Sequence, residues 1–203
     1  EKFKTALNDS INLYPGNASK TKKTIDNWRT EISALFGLIE YTEKTSKPST
    51  MANILAERQD LIEFFRYSLF NFQYPGGHLK PSETLELIKK GVKFKPAKYL
   101  LEVMMKGREI IGNDQNFGIT KSEATHLIFN DLRVTKGNKT PEETARQIIS
   151  NRDVGLSYAN KGDVVRYAGD ILDYMQLADL VTLRPNYQYY PNTHNAEVIQ
   201  AFI

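Results

Sequence analysis

Lys20, Lys22 and Lys23 stand just before a helix start, and Asn27, Arg29 and Thr30 follow within its opening turns. These types at this spacing suit contact with a nucleic acid. Lysines neutralise phosphates, an outward Asn offers the bidentate amide that matches adenine N6 and N7, and Thr reaches a thymine methyl or a phosphate. Arg29 sits at the edge of the apolar stripe, where its stem is covered while the guanidinium reaches a phosphate. Three cations ahead of a helix N-terminus oppose the macrodipole, so helix stability does not explain them. A solvated helix start accounts for the same residues, and this cluster alone leaves both readings open.

A second cluster lies far along the chain, where Asn160, Lys161 and Arg166 surround another helix start. An exposed Arg near the N-terminus of a helix in the major groove is a usual reader of guanine. The competing reading is an ion pair with Asp163, Asp170 or Asp173. Trp28 falls on an apolar helix side and suits packing better than base stacking. The tyrosines of "NYQYY" suit packing of a hairpin, with Tyr187 near its tip.

Other chemistries lack their residues. The chain has no cysteine, which excludes disulfides, zinc–thiolate sites and a cysteine nucleophile, and suits a reducing cytoplasm. No lysine has an acidic residue two positions before it, as a carboxylate–metal nuclease would require. His78, His126 and His194 are scattered, without metal-ligand spacing. "YPGGH" lacks the lysine and serine of a phosphate-cradling loop and reads as a turn. No catalytic site is expected in this chain.

The elements that must position the two clusters can be read from periodicity. Glu1–Leu13 has helical spacing. Thr24 is an N-cap, and Ile25, Trp28, Ile32, Leu35 and Phe36 form one side of the helix that follows. Gly37 ends it, "LIEYT" is a strand, and a return strand is expected around Met51–Leu55. Asp60–Gln73 is apolar enough for a buried helix. "KPSETLELIKKG" reads as a helix capped by Ser82, and "KPAKYLLEVMMKG" as another. Thr120 or Ser122 caps the next, and Thr140 with Pro141 opens one more.

After "GLSYANKGD", Asp163 caps a helix to about Ala178. Its expected apolar side is Val164, Tyr167, Ile171, Tyr174, Met175 and Ala178, and its exposed side Arg166, Gly169 and Asp173. "LVTL", the turn "RPNY" and "YQYY" then form a hairpin. Both ends therefore carry a helix followed by a hairpin, the plan of a winged helix. The expected fold is mainly α with short β-hairpins: two winged-helix subdomains, residues 1–75 and 96–203, joined by a helical linker, residues 76–95.

The 203 residues carry 27 Lys and Arg against 24 Asp and Glu, a net charge of +3 that demands no polyanionic partner by itself. No apolar run approaches the roughly 18 residues needed to span a bilayer, so no membrane partner is expected. The chain opens on Glu1, and a piece of a longer protein is expected.

On "TKKTIDNWRTEI", "FNFQYPGG" and "YMQLADLV" the chain resembles the N-terminal DNA-recognition region of type IIS restriction endonucleases of the BpuJI-like group, from Lys20 to about Leu180. The resemblance implies binding to a short asymmetric site in double-stranded DNA, with Thr24–Phe36 and Asp163–Ala178 in the major groove. It further implies a fused nuclease domain downstream, which would use Mg2+, with no cofactor in this chain. The candidate DNA-binding residues are then Lys20, Lys22, Lys23, Thr24, Asn27, Arg29, Thr30, Asn160, Lys161 and Arg166. A winged-helix transcription regulator is the alternative, which predicts a dimer on a palindrome. A winged helix that binds protein predicts no salt-dependent DNA binding.

Overall fold

The computed structural model describes residues 5, 6, 9, 13, 33, 35–41, 45–76, 79–112, 116–159 and 163–203. It is mainly helical with small antiparallel sheets, and its contacts divide it into two units, Glu1–Gln59 and Asp60–Ile203.

In the first unit Ser33 and Leu35 are helical. Gly37 ends that turn at φ 59°, where the Leu38 N–H reaches back to the Ser33 carbonyl at 3.0 Å. This six-to-one bond with a left-handed residue is the Schellman ending that glycine favours. Strand β1 (Ile39–Tyr41) then pairs antiparallel with β2 (Ser46–Pro48). The return strand thus comes earlier than expected, and Met51–Leu55 belongs to helix α1 (Thr50–Arg58). Ser49 decides this, since its side chain accepts the Ala52 N–H at 3.1 Å and starts a run of strong helix formers. The expected helix over Glu1–Leu13, and the one from Thr24 to Phe36, lie mostly outside the described residues.

The second unit begins earlier than the expected subdomain boundary. Helix α2 (Leu61–Asn71) was expected with residues 1–75 but packs within residues 60–203: Phe65 stacks on Tyr174 with ring centroids 5.6 Å apart, and Arg66 Nε donates to the Ala178 carbonyl at 3.0 Å. It is not a buried helix. Phe64 and Leu69 are buried, while Leu61, Tyr67 and Phe70 are exposed, because a helix packed on one side covers one stripe. Helix α3 (Pro81–Lys89) starts from Lys80 with Pro81 at its first position, so Ser82 lies inside it and is not its cap. The expected linker also joins this unit, through paired Tyr74 and Phe94 backbones and a bond from Lys93 N–H to the Thr135 carbonyl.

Helix α4 (Pro96–Ile111) is the scaffold. Its buried residues Pro96, Ala97, Leu100, Leu101, Val103, Met104 and Gly107 form one stripe at helical spacing. Gly107 is required by close approach, since a Cβ there would lie 2.2 Å from the Phe117 ring. Strand β3 (Ile119–Thr120) leads into α5 (Lys121–Ala124), which continues as a π-turn over Thr125–Phe129. Thr120 caps α5 in a reciprocal box with Glu123, as expected of one of its two candidate caps. The short α6 (Leu132–Thr135) follows. Helix α7 (Pro141–Asp153) opens on the same device, with Thr140, Pro141 and Glu143.

Helix α8 (Asp163–Leu177), strands β4 (Val181–Leu183) and β5 (Gln188–Pro191), and helix α9 (Ala196–Phe202) complete the unit. The sheet order is β3-β5-β4, so the hairpin is extended by a strand from far upstream. Leu100, Met104, Ile119, Ile128, Ile148, Leu172, Met175 and Leu180 meet in one fully buried core. Each such side chain contributes about 1.5–3 kcal/mol through removal from water.

Candidate nucleic-acid interface

Helix α8 carries the one candidate residue whose side chain falls within the described residues, Arg166. Lys20, Lys22, Lys23, Thr24, Asn27, Arg29, Thr30, Asn160 and Lys161 lie outside them. Arg166 is exposed. Its guanidinium lies 5.5 Å from the Tyr167 ring centroid, and its Nε is 3.8 Å from Asp170 Oδ2 one turn on. Both side chains are close to half exposed, so the pair is a weak tether.

The rest of the expected exposed side is otherwise occupied. Gly169 is buried under Lys121, whose Cδ would lie 2.9 Å from a Cβ at that position. Asp173 accepts from Lys121 Nζ at 2.7 Å and from the Tyr189 hydroxyl at 2.5 Å. Burial first, and then the Asp173 carboxylate, push the Tyr189 pKa well above its ordinary value. Asp173 is thus tied to α5 and β5. The buried side is wider than expected and includes Ala168 and Leu172, both fully enclosed. Ile171, Met175 and Ala178 are buried as expected. The helix is rotated so that Arg166 faces outward while the third and seventh residues after it face neighbours.

The segment that leads into α8 is held by His126. Its Nε2 lies 2.9 Å from the Ala159 carbonyl, and its ring stacks on Tyr158 at 5.4 Å with planes 16° apart. Asn151 Nδ2 also donates to the Tyr158 hydroxyl. His126 therefore anchors a loop, and the described residues contain no group of acidic and histidine side chains fit to hold an ion. A second lock stands behind α5. Glu123, nearly buried, takes two bonds from Arg152 at 2.7 and 2.8 Å, while Arg152 donates to the Gly118 carbonyl and covers the Phe117 ring at 4.9 Å. This fixes β3 and α5 against α7 and so the floor on which α8 rests.

Beside the first turn of α5 lies a cleft of about 530 Å³, lined among others by Lys121, Ser122, Tyr158, Leu183, Tyr187 and Tyr189. It gathers residues from four separated stretches of chain. Nothing in their sequence spacing announces the cleft, and the sequence reading missed Lys121 and Tyr158 entirely.

A family model for the restriction endonuclease BpuJI N-terminal region matches residues 1–203. By that match the chain belongs to the family of BpuJI restriction endonuclease N-terminal domains. A solved structure, the crystal structure of pyrene- and phenanthrene-modified DNA in complex with the BpuJ1 endonuclease binding domain, is similar to it with a TM-score of 0.79 and 25% identity. The similarity covers 99% of this chain and 72% of the other. No sequence among curated proteins matches.

Proposed function

We propose that this chain is the DNA-recognition module of a restriction endonuclease, binding double-stranded DNA at a specific site. The observation that carries this is the family match across residues 1–203, together with a structural relative described in complex with DNA. No helix among the described residues is long and apolar enough to cross a membrane.

A winged-helix reading of the second unit is supported by its element order. Helix α4, strand β3, helix α5 with its π-turn, the intervening helices α6 and α7, helix α8 and the β4–β5 hairpin follow in that order, and β3 joins the hairpin at β5. In that arrangement α8 is the helix for the major groove, with Arg166 near its N-terminal end as a base reader. The first unit would form the second such subdomain, with Lys20, Lys22 and Lys23 on phosphates and Asn27 and Thr30 on bases. Asn160 and Lys161 would flank α8 on the backbone.

The site bound is a short asymmetric one, met by a monomer of a cytoplasmic type IIS enzyme. Cleavage belongs to a fused nuclease domain that requires Mg2+. The test is selection of bound duplexes from a random pool, followed by titration against salt. The expected outcome is one asymmetric consensus whose affinity falls steeply as salt rises. Arg166→Ala should cost about 1–3 kcal/mol on that site and relax one base position. A palindromic consensus bound by a dimer would replace this reading with that of a transcription regulator, and absence of salt-dependent binding would end it.

A further inference from the structure

The hairpin between β4 and β5 turns through a three-residue loop. The Tyr187 N–H donates to the Arg184 carbonyl at 2.9 Å, and the Arg184 N–H donates to the Gln188 carbonyl at 3.0 Å. This is a type I turn closed by a left-handed residue, a position where glycine is the ordinary occupant. Here it is Tyr187, at φ 59°. A bulky residue with positive φ is a true outlier, and its ring gains no burial in exchange, since Tyr187 is 80% exposed. Neighbouring bonds hold the loop in this form. Asn186 Nδ2 donates to the Tyr190 hydroxyl at 2.7 Å, Gln188 N–H donates to Asn186 Oδ1 at 3.2 Å, and Arg184 lies over the Tyr190 ring at 4.1 Å.

A stiff turn therefore presents one strained, uncovered aromatic side chain at the rim of the cleft that also contains Lys121, Ser122 and Ser157. Strain kept in place without a packing return marks a functional position. Resting on the DNA-recognition reading above, we infer that Tyr187 is a positioning residue on the DNA backbone: its ring covers a deoxyribose face and its hydroxyl donates to the adjoining phosphate. The bases of an intact duplex keep their faces stacked against one another, so an exposed ring at a hairpin tip meets sugar and phosphate first. Tyrosine hydroxyls are ordinary donors to phosphate, and such contacts fix register without carrying sequence.

The experiment compares Tyr187→Gly and Tyr187→Phe with the unaltered chain on two fluorescent duplexes, one carrying the selected site and one scrambled. Thermal melting is followed in parallel. Glycine removes the strain, so Tyr187→Gly melts at or above the unaltered chain while binding both duplexes about fivefold more weakly, with the ratio between them unchanged. Tyr187→Phe loses about twofold on both, through the missing donor. Unaltered affinity in Tyr187→Gly, or a loss confined to the selected site, overturns the inference while the recognition module stands. An unaltered chain that binds neither duplex in a salt-dependent way overturns both.

Discussion

The two hairpins of this protein are built on the same sequence plan, a helix end followed by strand, turn and strand, yet they differ in support. The β1–β2 hairpin is a two-stranded ribbon whose second strand has every residue exposed. The β4–β5 hairpin gains β3 as a third strand, and Tyr189 and Tyr190 of its own β5 are buried. An isolated two-stranded ribbon is marginal in water, whereas a third strand with an apolar face makes a stable sheet. Equal local pattern therefore produced one hairpin that depends on its immediate neighbours and one that is locked into a core. The locked one bears the strained tyrosine, because strain survives where the surroundings over-determine the backbone.

The contrast can be broken most severely at β3. Ile119 is fully buried and faces Tyr189 across the pair. Ile119→Ala should destabilise the chain by about 2–5 kcal/mol in urea unfolding, because the third strand loses its anchor. A loss below about 1 kcal/mol would show that β3 is an accessory to the sheet.

A smaller effect is expected where the sheet meets α8. Tyr189→Phe should cost about 1 kcal/mol at neutral pH, since Asp173 keeps Lys121. The sign with pH follows from the raised folded pKa of Tyr189: its stabilisation is full below the ordinary value of about 10 and is lost as pH rises beyond it. Tyr99, pushed up to about 12 mainly by burial, loses stability in the same direction in both proteins. The difference between their alkaline unfolding curves therefore isolates Tyr189, and identical curves would remove the Tyr189–Asp173 bond from the account.

The smallest change belongs to the first hairpin. Lys47 and Glu40 are directly paired across β1 and β2, with Nζ 3.1 Å from Oε2 and both side chains well exposed. Lys47→Ala should alter stability by no more than about 0.5 kcal/mol, measured as amide exchange over Ile39–Tyr41. A larger loss would mean that the ribbon is held by its surface charges.

Local chemistry made much of the scaffold legible before the structure. The Thr140-Pro141 start, the Gly37 stop and the Arg184–Tyr187 turn stand where short-range rules put them, and Thr120 is the one of two candidate caps that the structure uses, because each is decided within five residues. The return strand went astray for the same reason turned around: Ser49 is a helix cap, and its vote outweighed the apolar run after it. Ser82 looked like a cap and lost to Pro81 one position earlier. Of the candidate site, nine residues lie outside the described chain, and Arg166 is exposed on α8 as expected.

What sequence alone determined was where helices begin and end, that the chain is mainly helical with hairpins, and that its kinship lies with DNA-recognition regions of restriction enzymes. Tertiary structure decided which residues on α8 face outward. Gly169 and Asp173 share a side with Arg166 on a helical wheel, yet Lys121 from 48 and 52 positions away covers the first and binds the second. Such pairings are chosen by the packing of whole elements, and spacing along one helix holds no record of what another will bring against it.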